Sequence, residues 1–193
     1  MSRFRVAVAG LGLISAEWLS SLARREDVDI VALIDPDTAA AEARRVSFGL
    51  TSPVVADLAP AIRRERADLV VVLTPPALHR AVTQTALEGG CDVIVEKPLA
   101  LDLADAVALA TAAGGQTVAV MQNRRYHPAV RRMRDEVATH GIGTLVDTSV
   151  DMFLWHRYPN TFMTTMDSPL LRDMAIHQFD AARAISGADA LTV

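Results

Sequence analysis

The sequence has little cysteine, no long apolar run and no excess of positive charge, and each absence excludes a class of protein. The only cysteine among the 193 residues is Cys91, so the chain has no internal disulfide. No second thiol or suitably spaced histidine accompanies Cys91, so no metal site is predicted. No stretch approaches the roughly 20 consecutive apolar residues that a membrane-spanning helix needs.

The formal net charge is −4, which leaves no broad cationic surface for nucleic acid. We therefore expect a protein that binds neither membranes nor nucleic acids. Because the cysteine is single and the N-terminus lacks a signal-peptide pattern, we also expect a reducing, cytoplasmic environment.

Hydrophobic residues make up 51% of the chain, and in its first part they form short β-branched runs that alternate with alanine-rich stretches. This alternation is typical of an α/β protein with a doubly wound parallel sheet covered by helices on both faces. The pattern predicts strands at 5–9, 30–34, 69–73, 92–95 and 117–121, and helices at 14–25, 38–48, 76–88 and 103–113. Asp102 is the expected N-cap of the last of these helices.

The alternation of β-branched and alanine-rich stretches ends after Met121. This change predicts one domain over 1–121 and a second over 122–193. The second domain is expected to be a partial α+β unit. Its predicted elements are a helix at 128–139, a strand at 144–153, a polar and aromatic loop at 156–168 and a helix at 170–185. Aromatic residues near this loop, Trp155 among them, are candidates for substrate contact.

A glycine-rich turn, residues 10–15, follows the first predicted strand and opens the first predicted helix. Gly10 permits a tight turn and Gly12 lets the main chain approach a diphosphate, while the first-turn N–H groups of Leu13 and Ile14 stabilise an anion. Ser15 replaces the third glycine of the fingerprint and is small enough for close packing. The motif predicts a dinucleotide-binding Rossmann domain, and an ordinary loop is the alternative.

Asp35 ends the second predicted strand, near the separation of about 20 residues at which a carboxylate binds the adenosine ribose hydroxyls. The alternative is that Asp35-Pro36-Asp37-Thr38 serves only to start the following helix, with Asp37 or Thr38 as its cap. We expect both roles together, with Asp35 at the ribose and a later residue as the cap. Because Asp35 repels a 2′-phosphate and Arg44 and Arg45 lie far along the helix, NAD is predicted rather than NADP.

Two groups of residues carry candidate catalytic chemistry. Glu96 and Lys97 follow the predicted strand at 92–95, at the edge where doubly wound sheets bind ligands; the alternative is an exposed Lys-Pro turn. Asp173, His177 and Asp180 share one face of a predicted helix among apolar neighbours, so His177 is a candidate general base oriented by a carboxylate. A surface ion pair is the alternative for that helix.

Together these residues resemble the glucose-fructose oxidoreductase and inositol dehydrogenase family. The order and spacing match over essentially the whole chain in the glycine turn, Asp35, Thr74-Pro75-Pro76 with His79, Glu96-Lys97-Pro98, Asn123-Arg124-Arg125-Tyr126-His127-Pro128 and Asp173-x-x-x-His177-x-x-Asp180. Two departures stand out. The approach to Asp173 is not glycine-rich, and the strands that complete the second domain in such proteins are absent.

The resemblance implies an NAD-dependent dehydrogenase that transfers hydride between a sugar, cyclitol or related hydroxy compound and the nicotinamide. It implies that Lys97 hydrogen-bonds the reacting oxygen, that His177 takes its proton, and that Asp173 orients the histidine or binds substrate. It further implies that Thr74, Pro75, His79 and Glu96 line the dinucleotide path and that Asn123 and Tyr126 reach substrate.

Other interpretations stay open at this stage. His79 is equally consistent with a helix-surface residue, and Asn123, Arg124 and Tyr126 with packing between domains. Trp18 is interpreted as a core residue. Within the same fold, an NAD-assisted glycoside hydrolase and a catalytically silent nucleotide sensor are the rival functions. The resemblance also implies a homo-oligomer assembled through the second domain.

Overall fold

A computed structural model of the chain describes residues 3–153, 162–164 and 166–189. The chain divides into two compact units, Met1–Met121 and Gln122–Val193, at the point where the sequence pattern changes. In the described part of the chain, no helix combines the length and the apolar character that crossing a bilayer requires.

The first unit is built on a six-stranded parallel sheet with the order β3-β2-β1-β4-β5-β6. The order reverses direction between β1 and β4, and this switch point opens the crevice in which such sheets bind ligands. The strands are β1 Phe4–Ala9, β2 Val28–Ile34, β3 Val54–Val55, β4 Leu69–Val72, β5 Asp92–Val95 and β6 Val118–Val120.

Five helices cover this sheet: α1 Ser15–Leu22, α2 Thr38–Ser47, α3 Leu58–Glu65, α4 Pro76–Glu88 and α5 Leu103–Ala112. Successive residues of a strand point to opposite faces, and β1 shows the result. Val6 and Val8 pack in a cluster with Leu19 of α1, whereas Ala7 and Ala9 pack in a second cluster with residues of α3, α4 and α5. The sheet is therefore buried on both faces, as the sequence pattern predicts.

The predicted strands and helices of the first unit are confirmed to within a few residues, with two omissions. The strand β3 and the helix α3 are missing from the prediction; β3 has only two residues, which is too short for a recognisable strand pattern. The predicted N-cap Asp102 is confirmed: its carboxylate accepts the N–H of Asp105 at 2.8 Å.

The described part of the second unit is helical. Its elements are a 3₁₀ turn at Asn123–Tyr126, helix α6 at Pro128–Ala138, a second 3₁₀ turn at Phe162–Thr164, a π-helical turn at Leu170–Met174 and helix α7 at Ile176–Ser186. The helix expected at 170–185 therefore begins as a π turn and continues as α7.

The strand expected at 144–153 does not form, and this part of the prediction is wrong. A strand needs a neighbour to take its main-chain hydrogen bonds, and the described residues of this unit supply none. Val146 and Phe153 are almost fully exposed instead of packing on a core. Trp155 and most of the loop expected after it lie outside the described residues.

Candidate functional site

Gly10 brings the end of β1 against the end of β4. Its φ of +96° lies in the region that favours glycine, and its N–H donates to the carbonyl of Ile34 at 2.8 Å. A Cβ at this position would lie 2.7 Å from the carbonyl carbon of Leu73 and from the nitrogen of Thr74. Only glycine fits this position, which supports the prediction that Gly10 makes the tight turn.

Gly12 has open space where a side chain would be. A Cβ built there meets nothing within 4 Å, in contrast to Gly10. Next to it Ser15 is fully buried, and its hydroxyl donates to the Gly12 carbonyl at 2.6 Å. The small residue at the third fingerprint position therefore packs as expected, and Leu13 and Ile14 are exposed beside the turn. An open cradle above the start of α1 fits the diphosphate of a dinucleotide.

Main-chain N–H groups hold the carboxylate of Asp35 on both of its oxygens. Oδ2 accepts the N–H of Leu11 at 2.8 Å, and Oδ1 accepts the N–H of Asp37 at 2.9 Å. The cap of α2 is Asp37, whose carboxylate accepts the N–H of Ala40 at 3.0 Å. Asp35 therefore ties β2 to the glycine turn, and a carboxylate has further lone pairs for ribose hydroxyls.

Arg44 reaches the glycine turn from α2. Its Nη2 donates to the carbonyl of Gly12 at 3.3 Å. The sequence places this arginine too far along the helix to overturn the preference for NAD, yet its long side chain spans the gap from α2 to the glycine turn. The preference for NAD itself stays a prediction. A cation therefore stands beside the turn that receives an anionic ligand.

His79 is buried in α4, with 1% of its surface exposed, so the interpretation as a helix-surface residue is wrong. Its Nδ1 lies 2.6 Å from the carbonyl oxygen of Pro98, and its Nε2 lies 2.8 Å from that of Thr74. The ring thus bridges the loops that follow β4 and β5. Thr74 is half-buried and Pro75 is exposed at the N-terminus of α4, so both border the crevice.

Glu96 and Lys97 follow β5, and the Lys97–Pro98 peptide bond is cis. The indole Nε1 of Trp18 donates to Oε1 of Glu96 at 2.8 Å, and the main-chain N–H of Lys97 donates to Oε2 at 3.3 Å. Trp18 is partly buried and packs against the cluster that contains Val6, so it borders the core rather than lying within it. Lys97 is half-buried at this edge of the sheet rather than fully exposed.

The acidic and imidazole groups of the second unit are buried. Asp173 in the π-helical turn is 6% exposed, and His177 in α7 is 8% exposed. The alternative of a surface ion pair is therefore wrong for this pair. Leu170 and Phe179, which are among the apolar neighbours expected to surround this pair, are more than half exposed instead of buried.

Asp180 has a structural partner. Arg125 donates to both carboxylate oxygens of Asp180 through Nε and Nη2, and this pairing raises the pKa of the guanidinium. A bidentate pair between Arg125, which precedes α6, and Asp180 of α7 ties these segments together. Asn123 and Tyr126, expected at the substrate, are both exposed on the 3₁₀ turn beside Arg125.

Cys91 is buried, and its thiol donates to the carbonyl of Ala67 at 3.1 Å. Burial, together with the nearby carboxylates of Asp68 and Asp92, raises its pKa to about 11. The thiol therefore stays protonated at neutral pH, which fits the interpretation of Cys91 as a small core residue.

The carboxyl edge of the sheet collects the glycine turn, Asp35, Thr74, Glu96 and Lys97, all in the first unit. Asp173 and His177 belong to the second unit, and the expected convergence of Lys97 and His177 on one volume stays a prediction. Sequence reasoning missed three contacts at this edge: Trp18 with Glu96, Arg44 with Gly12, and His79 with two carbonyls. The indole and its carboxylate are 78 residues apart, and no local pattern indicates such a pair.

A doubly wound parallel sheet with an open glycine turn after β1 and a carboxylate after β2 defines a dinucleotide-binding Rossmann protein. The model of an oxidoreductase family with an NAD-binding Rossmann fold matches residues 4–124. The chain therefore belongs to the Gfo/Idh/MocA oxidoreductase family, and the resemblance inferred from the sequence is confirmed.

Relatives extend the match to almost the whole chain. The D-apiose dehydrogenase of Paraburkholderia graminis is 29% identical, over 97% of this chain and 51% of its own length. An inositol 2-dehydrogenase of Saccharopolyspora erythraea is 32% identical, over 93% of this chain and 52% of its own length. The crystal structure of myo-inositol 2-dehydrogenase from Lactobacillus plantarum has a TM-score of 0.81 at 24% identity, over 97% of this chain and 57% of that one. The chain spans about half the length of these proteins.

Proposed function

We propose that this chain is the cofactor-binding part, with the start of the catalytic domain, of a dehydrogenase that oxidises a CH–OH group of a sugar, cyclitol or related compound with NAD. The observation that carries the proposal is the carboxyl edge of the sheet. Three features lie at this edge: the open cradle at Gly12 after β1, the oriented carboxylate of Asp35 after β2, and the side-chain amine of Lys97 after β5.

The residues of the cradle have distinct roles toward the dinucleotide. Gly10 and Gly12 allow close approach of the main chain, and the N–H groups of Leu13 and Ile14 face the diphosphate. Asp35 accepts hydrogen bonds from the ribose hydroxyls and disfavours a 2′-phosphate, so NAD is preferred to NADP. Thr74, Pro75 and Glu96 border the same path. The buried ring of His79 contributes indirectly, by bridging the loops that follow β4 and β5.

The catalytic residues act on the hydroxyl that is oxidised. The nicotinamide, when bound, accepts the hydride from the carbinol carbon. Lys97 donates a hydrogen bond to the reacting oxygen and stabilises charge that develops on it. His177 accepts the hydroxyl proton as general base, and Asp173 orients the imidazole or binds substrate. Asn123, Tyr126 and Trp155 contribute substrate contacts.

The substrate class rests on the names of the relatives, which are a D-apiose dehydrogenase and an inositol 2-dehydrogenase. We further propose that the reaction takes place in the cytoplasm and that the protein forms a homo-oligomer through its second domain.

The test is a panel of cyclitols and sugars incubated with NAD or NADP while the absorbance of the reduced nicotinamide is followed. We expect NADH to accumulate with at least one member of the panel. Lys97→Met and His177→Asn should lower kcat by about 10²–10⁴-fold, the usual contribution of a positioned acid or base. NADH binding, measured by its fluorescence, should persist in both variants.

Arg131→Gln on α6 serves as a control for a loss of charge at an exposed position. Cleavage of a glycoside without net NADH would favour the hydrolase alternative instead. Unchanged function in Lys97→Met and His177→Asn, with NAD bound, would favour the silent sensor.

A further inference from the structure

The turn that carries Lys97 is held on both flanks by side chains from helices. On one flank, Trp18 of α1 donates its indole N–H to Oε1 of Glu96 at 2.8 Å. On the other flank, His79 of α4 contacts the carbonyl oxygen of Pro98 at 2.6 Å. The peptide of Lys97 lies between these two points and donates its N–H to Oε2 of Glu96 at 3.3 Å.

The contact with Glu96 is suited to fixing a geometry. A carboxylate that accepts two N–H groups on different oxygens has little freedom to rotate, and hydrogen bonds to an ionised acceptor are stronger than neutral ones. The donor is rigid as well, because the ring of Trp18 packs against the core cluster that contains Val6 and Leu19. A reactive group performs best when its support holds it to within about 0.5 Å.

Trp18 also lies close to the cofactor cradle in the chain. It sits one helical turn after Ser15, the buried residue that closes the glycine turn. The helix α1 therefore begins directly after the glycine turn and presents the indole of Trp18 to Glu96. The position of the lysine is thus tied to the element that receives the dinucleotide.

We propose that Trp18 is a positioning residue, whose indole N–H, acting through the carboxylate of Glu96, fixes the peptide of Lys97 relative to helix α1. The importance of that placement for turnover rests on the proposed function. The placement itself does not, because it is a property of the folded first unit.

The competing explanation is that Trp18 serves only as apolar bulk. Two substitutions separate the two explanations. Trp18→Phe keeps the aromatic packing and removes the donor, whereas Trp18→His keeps a ring N–H and loses bulk. A residue that only packs tolerates phenylalanine better than histidine, and a residue that donates shows the opposite order.

The composition of the chain makes Lys97 directly observable, because it is the only lysine among 19 basic residues and the other 18 are arginines. Protein grown with ¹⁵N-lysine as the sole label shows a single backbone amide signal, that of Lys97. Its proton shift and its exchange rate with solvent report the hydrogen bond to Glu96 without any substrate.

We expect Trp18→Phe to shift this signal and to speed its exchange about tenfold, as expected for the loss of one supporting hydrogen bond. Trp18→His should stay close to wild type. In a Glu96→Ala background, Trp18→Phe should change nothing further, since the carboxylate through which the indole acts is gone.

Turnover provides the second measurement. Trp18→Phe should lower kcat/KM about tenfold through kcat, with the dissociation constant of NADH nearly unchanged, and Trp18→His should restore most of the rate. The inference is overturned if Trp18→Phe leaves the Lys97 signal at its wild-type position and exchange rate, or shifts it equally in the Glu96→Ala background. If the signal responds as expected but no substrate yields NADH, the proposed function fails and the positioning role stands.

Discussion

Substitution by alanine should affect a different property at each of the two fingerprint glycines. At Gly10, which is closely packed, it should lower stability, and at Gly12, which faces open space, it should weaken cofactor binding. Alanine at position 10 must adopt a φ of +96° and must place its Cβ 2.7 Å from main-chain atoms of Leu73 and Thr74. A left-handed conformation costs a residue with a Cβ about 1–2 kcal/mol. Overpacking against atoms that cannot rotate away costs about 1–3 kcal/mol more. Gly10→Ala should therefore lower the free energy of unfolding by about 2–5 kcal/mol.

Gly12→Ala meets no atom within 4 Å, and its backbone is outside the left-handed region. Its free energy of unfolding should stay within about 1 kcal/mol of wild type, because a compatible glycine-to-alanine change mainly restricts the unfolded chain. The added methyl group instead projects into the cradle where a diphosphate must approach the main chain. Gly12→Ala should therefore bind NADH at least about tenfold more weakly while remaining folded.

Urea unfolding followed by circular dichroism measures the first quantity, and NADH fluorescence titration measures the second. The slope of the unfolding free energy against urea should be unchanged, so that the midpoint alone reports stability. The reasoning is refuted if Gly10→Ala unfolds at the wild-type midpoint. It is equally refuted if Gly12→Ala binds NADH as tightly as the unaltered protein.

Two further predictions concern contacts that the sequence did not reveal. His79→Leu should lower the free energy of unfolding by about 2 kcal/mol or more, because the ring N–H that one of the two contacted carbonyls accepts, that of Pro98 or of Thr74, is lost from a buried position. Arg80→Gln, which breaks an ion pair with Asp105 near the surface, should cost under about 1 kcal/mol in the same urea assay. Arg44→Gln should weaken NADPH binding more than NADH binding in fluorescence titrations, since NADPH carries the larger negative charge; equal losses for both would contradict this.

The architecture of the first unit could be predicted because it is encoded locally. The β-branched runs at β1, β2, β4 and β5 are buried on both faces and therefore appear as continuous apolar segments. The strand β3 has only two residues and pairs at the sheet edge, so it leaves no comparable pattern. Residues 144–153 show the converse error, because apolar and β-branched residues are not sufficient for a strand that lacks a neighbour among the described residues.

The contacts around the candidate site could not be predicted from the sequence, although its residues are recognisable as candidates. Glycine, aspartate and lysine at strand ends are recognisable because parallel strands bring their carboxyl ends to one edge. The roles of Trp18, Arg44 and His79 depend on side chains that meet across elements, and their partners are 78, 32 and 19 residues away. Such separations are set by the packing of helices on the sheet, which no short motif records.

The doubly held carboxylate of Asp35 has a consequence for altering coenzyme preference. An aspartate at this position is usually regarded as a charge that can be exchanged for a neutral or basic residue to admit a phosphorylated ribose. Here the same exchange would also leave at least one of the N–H groups of Leu11 and Asp37 without its acceptor. Redesign at position 35 must therefore rebuild the junction between β2 and the glycine turn, and a swap of charge alone will loosen the loop it is meant to retune.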